Sequence, residues 1–328
     1  MKKGITKILS ACVFAFVVFL AAGTQSKAAV NMGVKQTGAG SSYVDLAWDA
    51  QLGAGHYHTQ FSQDGKNWID MDNSSSPSES VYNLTQGASY YARVVAYKGS
   101  HYTGTHVMIG VSETAIVSTK PTEVSGLTQT AAGVNSVSMS WNASAGAASY
   151  VIYGYINYNW TQIGTSATNS ATITGVAATT STRFSVAAVK NVTGGTVTGD
   201  QCSGVEMKAI PIKVSRIAMQ YYWDSLKEAK YIWTDVNNAD GYQYEVKSAN
   251  GKKTYFRATS TNSYTYVKPF PRGIFVKARV RAYVTVGNKV YYGAWSPYTY
   301  HASSKKVTAK RSSCLLYTSD AADDTPCV

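Results

Sequence analysis

Apolar residues recur with a period of two along most of the chain, in short runs broken by Gly, Asn, Asp and Ser. Val44-x-Leu46-x-Trp48, Val137-x-Met139-x-Trp141 and Ala229-x-Tyr231-x-Trp233 each put three apolar side chains on one side of an extended segment. Tyr57-x-Thr59-x-Phe61, Tyr150-x-Ile152 and Tyr242-x-Tyr244-x-Val246 do the same a few residues later. Alternate residues of a strand face opposite sides, so each set defines a buried face. Short alternating runs between turn signals predict an all-β sandwich or barrel.

The runs also repeat. Each tryptophan is followed nine residues later by a tyrosine, and the phrase returns about every 92 residues. A third phrase recurs further on, as Leu84–Tyr97, Val176–Val189 and Phe270–Tyr283, while Pro121 and Pro211 open the second and third copies. A period near 90 residues means tandem domains rather than a solenoid.

On these residues the chain resembles fibronectin type III domains. Trp48, Trp141 and Trp233 match the core tryptophan of strand B, and Tyr57, Tyr150 and Tyr242 the tyrosine of strand C. Tyr90 matches the corner tyrosine before strand F, with Thr182 and Val276 in its place in the later copies. Ser62–Trp68 matches the C–C′ hairpin, with Asp64-Gly65 as its turn. Immunoglobulin domains are the nearest rival, but no copy has an inter-sheet cysteine pair. The resemblance implies three tandem immunoglobulin-like β-sandwiches at 30–118, 119–210 and 211–303, with these seven aromatics as structural core.

The ends read differently. Lys2, Lys3 and Lys7 precede an apolar run from Ile8 to Ala22, too short for a membrane span, and small residues follow. Residues 1–28 are therefore expected to be a secretory signal peptide, placing the protein outside the cell or on its surface, with no transmembrane helix in the mature chain. The short lysine-rich leader points to a bacterial source. Residues 304–313 form a basic linker or truncated continuation. Residues 314–324, "CLLYTSDAADD", resemble a translated sequencing-library adapter, so 314–328 are expected to be artefact. Cys12 leaves with the leader and Cys314 and Cys327 with the adapter, so Cys202 stands alone and no disulfide is available.

Candidate chemistry is sparse. No nucleophile–base motif, phosphate-binding glycine loop or CxxC occurs, so these residues are read as non-catalytic, with no cofactor and no metal site. His56 and His58 flank core Tyr57 and should face solvent, near His101 and His106. Tyr153, Tyr155, Tyr158 and Trp160 of the second copy form a candidate sugar-stacking patch.

Charge separates the copies. Residues 29–118 carry about −3 and residues 119–210 about +1, while residues 211–313 carry eighteen Lys/Arg against five Asp/Glu. Lys277, Arg279 and Arg281 alternate with Ala278, Val280 and Ala282, which predicts an outward basic row. Lys247 lies on the neighbouring strand, with Lys253 and Arg257 on the next hairpin. A basic face interleaved with aromatics suits a polyanion. The expected partner is an anionic wall polymer, with a glycan or a host or bacterial surface protein as other candidates; intracellular nucleic acid is excluded by secretion. The alternative is an accessory region of a larger secreted enzyme, such as a glycoside hydrolase.

Overall fold

The computed structural model describes residues 29–99 and 107–302. The signal-peptide and adapter readings, the basic linker, His101 and His106 lie outside the described residues.

The described residues are all β, and their strands form three pairs of sheets. The first pair is built from β1 (Ala29–Val30), β2 (Lys35–Ala39), β3 (Val44–Ala47), β4 (His56–Ser62), β5 (Ile69–Ser74), β6 (Ser78–Val81), β7 (Ser89–Lys98), β8 (Val107–Ser112) and β9 (Ala115–Ser118). The second uses β10 (Thr128–Gly133), β11 (Ser136–Ser140), β12 (Ser149–Ile156), β13 (Asn159–Ser166), β14 (Ser170–Thr174), β15 (Thr182–Val192), β16 (Gly195–Thr198) and β17 (Val205–Met207). The third uses β18 (Ile217–Trp223), β19 (Glu228–Trp233), β20 (Gly241–Ser248), β21 (Thr254–Ser260), β22 (Tyr264–Val267), β23 (Phe275–Val286), β24 (Lys289–Tyr292) and β25 (Thr299–Ala302).

One topology is used throughout. Each pair has a three-stranded sheet, in the orders β2-β3-β6, β10-β11-β14 and β18-β19-β22. Facing it is a larger sheet, in the orders β1-β8-β7-β4-β5, β13-β12-β15-β16 and β21-β20-β23-β24, with β9, β17 and β25 added to the longest strand. The bulge between the C-type strand and its hairpin partner also recurs, at Thr59/Gln60, Ile152/Tyr153 and Val246/Lys247. By compactness the described residues divide into two units: 29–37, 45–81, 90–99 and 107–117 in one, and 38–44, 82–89 and 118–302 in the other.

The tryptophan–tyrosine phrase has a local explanation. The two rings meet at 5.4, 5.3 and 5.5 Å in the three copies, and all six are buried. Tyr90 is buried as well, with its ring 5.8 Å from Phe61. Each tyrosine hydroxyl accepts a hydrogen bond from the backbone N–H three residues after the tryptophan. The donors are Gln51, Ser144 and Val236, at 3.0, 3.0 and 2.7 Å. One side chain thus fills the core and satisfies an otherwise orphaned loop amide, a combination phenylalanine cannot supply.

A second repeated device was not legible from sequence. The amides of Val94, Val186 and Val280, equivalent residues of the long strands, are capped by side chains rather than by a ladder partner. The acceptors are Ser112 Oγ at 2.8 Å, Cys202 Sγ at 3.2 Å and Ser296 Oγ at 3.0 Å. Cys202, the one cysteine among the described residues, is therefore a buried acceptor at a serine position. Cys202→Ser is expected to leave thermal stability within about 0.5 kcal/mol, whereas Cys202→Ala, which orphans the Val186 amide, should cost about 1–2 kcal/mol. Chemical denaturation of the two variants checks both numbers.

Candidate polyanion-binding face

The long strand β23 alternates as its sequence predicts. Val276, Ala278, Val280, Ala282 and Val284 are fully buried, which turns Lys277, Arg279 and Arg281 to the other side of the sheet. That side is not open solvent. Trp295 and Tyr298, from the segment between β24 and β25, and Tyr292 of β24 lie over it, and the cations are layered between their rings. Lys277 Nζ sits 4.6 Å from the Tyr298 ring centre. Arg279 is 4.8 Å from Tyr298 and 4.3 Å from Trp295, and Arg281 is 4.4 Å from Trp295 and 3.8 Å from Tyr292. Arginine stacks well on aromatic faces because its guanidinium is planar and weakly hydrated.

Beneath this ladder lies Glu245, on the neighbouring strand β20, with a side chain fully withdrawn from solvent. Arg279 Nε donates to its Oε1 at 2.6 Å and Arg257 Nη2 to its Oε2 at 2.5 Å. Lys247 Nζ lies 3.2 Å from Oε1, and the Tyr298 hydroxyl donates to the same atom at 3.2 Å. Burial alone would raise this carboxyl, but the hydrogen bonds from Arg257, Lys247 and Arg279 outweigh it and hold it at about 2. Arg281 is pinned separately, donating through Nε and Nη2 to Gln243 Oε1 at 2.9 and 2.6 Å.

The six sequence-predicted residues therefore fall into two groups. Lys247, Arg257 and Arg279 converge on Glu245 and act as a framework. Lys253 reaches out over Tyr255 at 5.0 Å, Lys277 caps the ladder, and Arg281 is held by a neutral amide, so these three keep uncompensated charge. The expectation of a fully outward row is corrected to this extent: the positions face away from the core, but the aromatic layer half-buries them. Glu245 is the residue sequence reasoning missed.

The expectation for the histidines also changes. His56 does not face solvent: it is buried, its Nδ1 is 2.9 Å from the Gly99 carbonyl, and its ring stacks on Tyr97 at 5.2 Å and 9°. His58 packs against the same tyrosine at 4.9 Å. No cluster of three His, Cys, Asp or Glu suited to a metal occurs among the described residues. In the second sandwich Tyr155 and Trp160 are a cross-strand pair 5.2 Å apart, while Tyr158 stands alone at the hairpin tip.

No family model and no curated protein matches the chain. Among solved structures, the FN1–FN3 domains of chicken CNTN1 align over 84% of this chain and 98% of that chain, at 16% identity and a TM-score of 0.34. The class follows from the sheets themselves: an all-β protein of tandem fibronectin type III-like sandwiches. A fold of this kind does not define a function, and what each sandwich holds is decided by its own surface.

Proposed function

We propose that the protein is a secreted, non-catalytic binding array whose third sandwich holds an anionic cell-envelope polymer. The observation that carries this reading is that every carboxylate of that sandwich is already engaged, four of the five by groups of the sandwich itself and Asp240 by Lys208 of the preceding copy. Asp224 pairs with Arg272, Glu228 with Lys268 and Asp240 with Lys208. Asp235 accepts from the Tyr242 hydroxyl, and Glu245 holds three cations. Of the fourteen lysines and arginines between 211 and 302, nine have no carboxylate within 4 Å among the described residues. Lys252, Lys253, Lys277 and Arg281 are the members of that set on the aromatic ladder and the β20–β21 hairpin beside it. A polymer of phosphates or carboxylates lying along it would release condensed counterions, so affinity should fall steeply with salt. At about 0.15 M salt the screening length is roughly 8 Å, which restricts the effect to charges close to the polymer.

The test substitutes Lys252, Lys253 and Lys277 by glutamine, leaving every partner of Glu245 in place. Binding to purified teichoic acid at about 0.1 M salt should weaken about tenfold or more, with unchanged melting and a shallower salt dependence. Unchanged affinity, or affinity indifferent to salt in the parent protein, refutes the assignment.

A further inference from the structure

The opposite face of the same sandwich carries a second cluster that neither the charge pattern nor the basic ladder explains. Strands β18, β19 and β22 pair with Tyr221 opposite Lys230, Lys230 opposite Tyr266, Trp223 opposite Glu228, and Ile232 opposite Tyr264. Ala229, Tyr231 and Val267 point into the core, so these residues point out. Trp223, Tyr266 and Tyr264 are 50, 49 and 40% exposed, an unusual concentration of large rings on one sheet face. Tyr221 and Trp223 pack at 4.7 Å and Tyr264 and Tyr266 at 5.9 Å, forming two ring pairs on either side of Lys230. The Lys230 ammonium lies 5.1, 5.6 and 5.9 Å from the Tyr264, Tyr266 and Tyr221 ring centres. Among the described residues no carboxylate comes within 4 Å of it; the adjacent Glu228 is turned to Lys268. An open depression of about 310 Å³, lined by Arg216, Ala218, Ile232 and Thr234, continues the face.

We propose that this face binds an acidic polysaccharide, with Trp223, Tyr264 and Tyr266 stacking on sugar rings and Lys230 taking a uronate carboxylate. Three features select that occupant. The rings stand on β18 and β22, the two outer strands of one three-stranded sheet, about 10 Å apart with Lys230 on the strand between them, which presents them as a platform to an extended chain. Their amphipathic edges offer hydroxyls where a sugar offers its own, which a purely apolar partner would leave unpaired. The face also carries more positive than negative charge: Lys230 and Arg216 have no carboxylate within 4 Å among the described residues, and Glu228 is paired with Lys268 at 4.0 Å. The site shares no residue with the ladder of β23, so the two proposals fail separately.

Affinity electrophoresis of the purified protein through gels containing polygalacturonate or neutral dextran tests it. Polygalacturonate should retard the parent protein more strongly than dextran. Trp223→Ala and Tyr266→Ala should each weaken that retardation about tenfold, as fits a lost aromatic contact. In the glutamine triple variant at Lys252, Lys253 and Lys277, where the β23 ladder no longer contributes, polygalacturonate should still retard the protein more than dextran, and Lys230→Gln should erase that preference while leaving weak retardation. Since these positions face outward, melting curves should be unchanged, and size-exclusion elution of the parent and Trp223→Ala should coincide. The proposal is overturned if the ring variants bind as the parent does, if retardation disappears only in the triple variant, or if Trp223→Ala converts a dimer to a monomer, which would assign the face to a second copy.

Discussion

Trp141→Ala is expected to remove about 3–5 kcal/mol from the second sandwich, the usual cost of truncating a large core aromatic. Trp141 is buried among Val137, Met139, Tyr150, Ile152, Phe184 and Val186, in a cluster sharing no residue with the core of the third sandwich. Its loss opens a void and removes the ring against which Tyr150 packs edge-on at 5.3 Å. Tyr150 is then less firmly placed to accept from the Ser144 amide, so the loop before β12 should loosen with it. In calorimetry one transition should fall by roughly 12 °C or more, since about 1 kcal/mol corresponds to 4–8 °C in a domain of this size. The transition of the third core should stay in place. Retention of every transition would contradict the assignment of Trp141 to a separate core.

The contrast between Trp141 and His56 shows how far the sequence reached. Period-two alternation reports which side of a strand a residue occupies, and for Trp48, Trp141 and Trp233 that side is the space between two sheets, so position and burial coincide. For His56 the same rule identifies the outer side, but Tyr97, directly opposite on β7, covers it. Whether an outer face is itself covered depends on cross-strand neighbours, and these lie tens of residues away. Glu245 was hidden for the same reason: its partners Arg257, Arg279 and Tyr298 are 12, 34 and 53 residues distant. The Lys230 face was obscured further by a bulge between Met219 and Tyr221, which shifts the phase of β18 midway. The repeated Trp–Tyr pair was legible because both residues lie within one phrase.

Glu245→Gln should destabilise the third sandwich by about 3 kcal/mol or more, because removing one partner of a buried ionic cluster leaves the others uncompensated. Arg279 and Lys247 are largely shielded by their neighbours, so neither can regain full hydration when the carboxylate is lost. The magnitude agrees with the displacement of the carboxyl from its ordinary 4.5 to about 2, at about 1.4 kcal/mol per unit. The sign of the pH dependence follows. A carboxyl whose folded value is depressed binds its proton more readily in the unfolded chain, so folding releases protons and is favoured at higher pH. The contribution of Glu245 is complete above about pH 4.5 and disappears as pH falls towards about 2. The parent protein should therefore lose stability in the third sandwich across that interval, and Glu245→Gln should lose less, having already forfeited the contribution. Arg279→Gln should give a smaller loss, since Arg257 and Lys247 still face the carboxylate, and should raise the acid midpoint of the sandwich. Urea denaturation at pH 7, 4 and 2.5, followed by amide hydrogen exchange in β20 and β23, measures each of these quantities. An acid profile identical in the parent and in Glu245→Gln would mean that the cluster adds nothing to stability, and that its cations are held in place by their ring contacts alone.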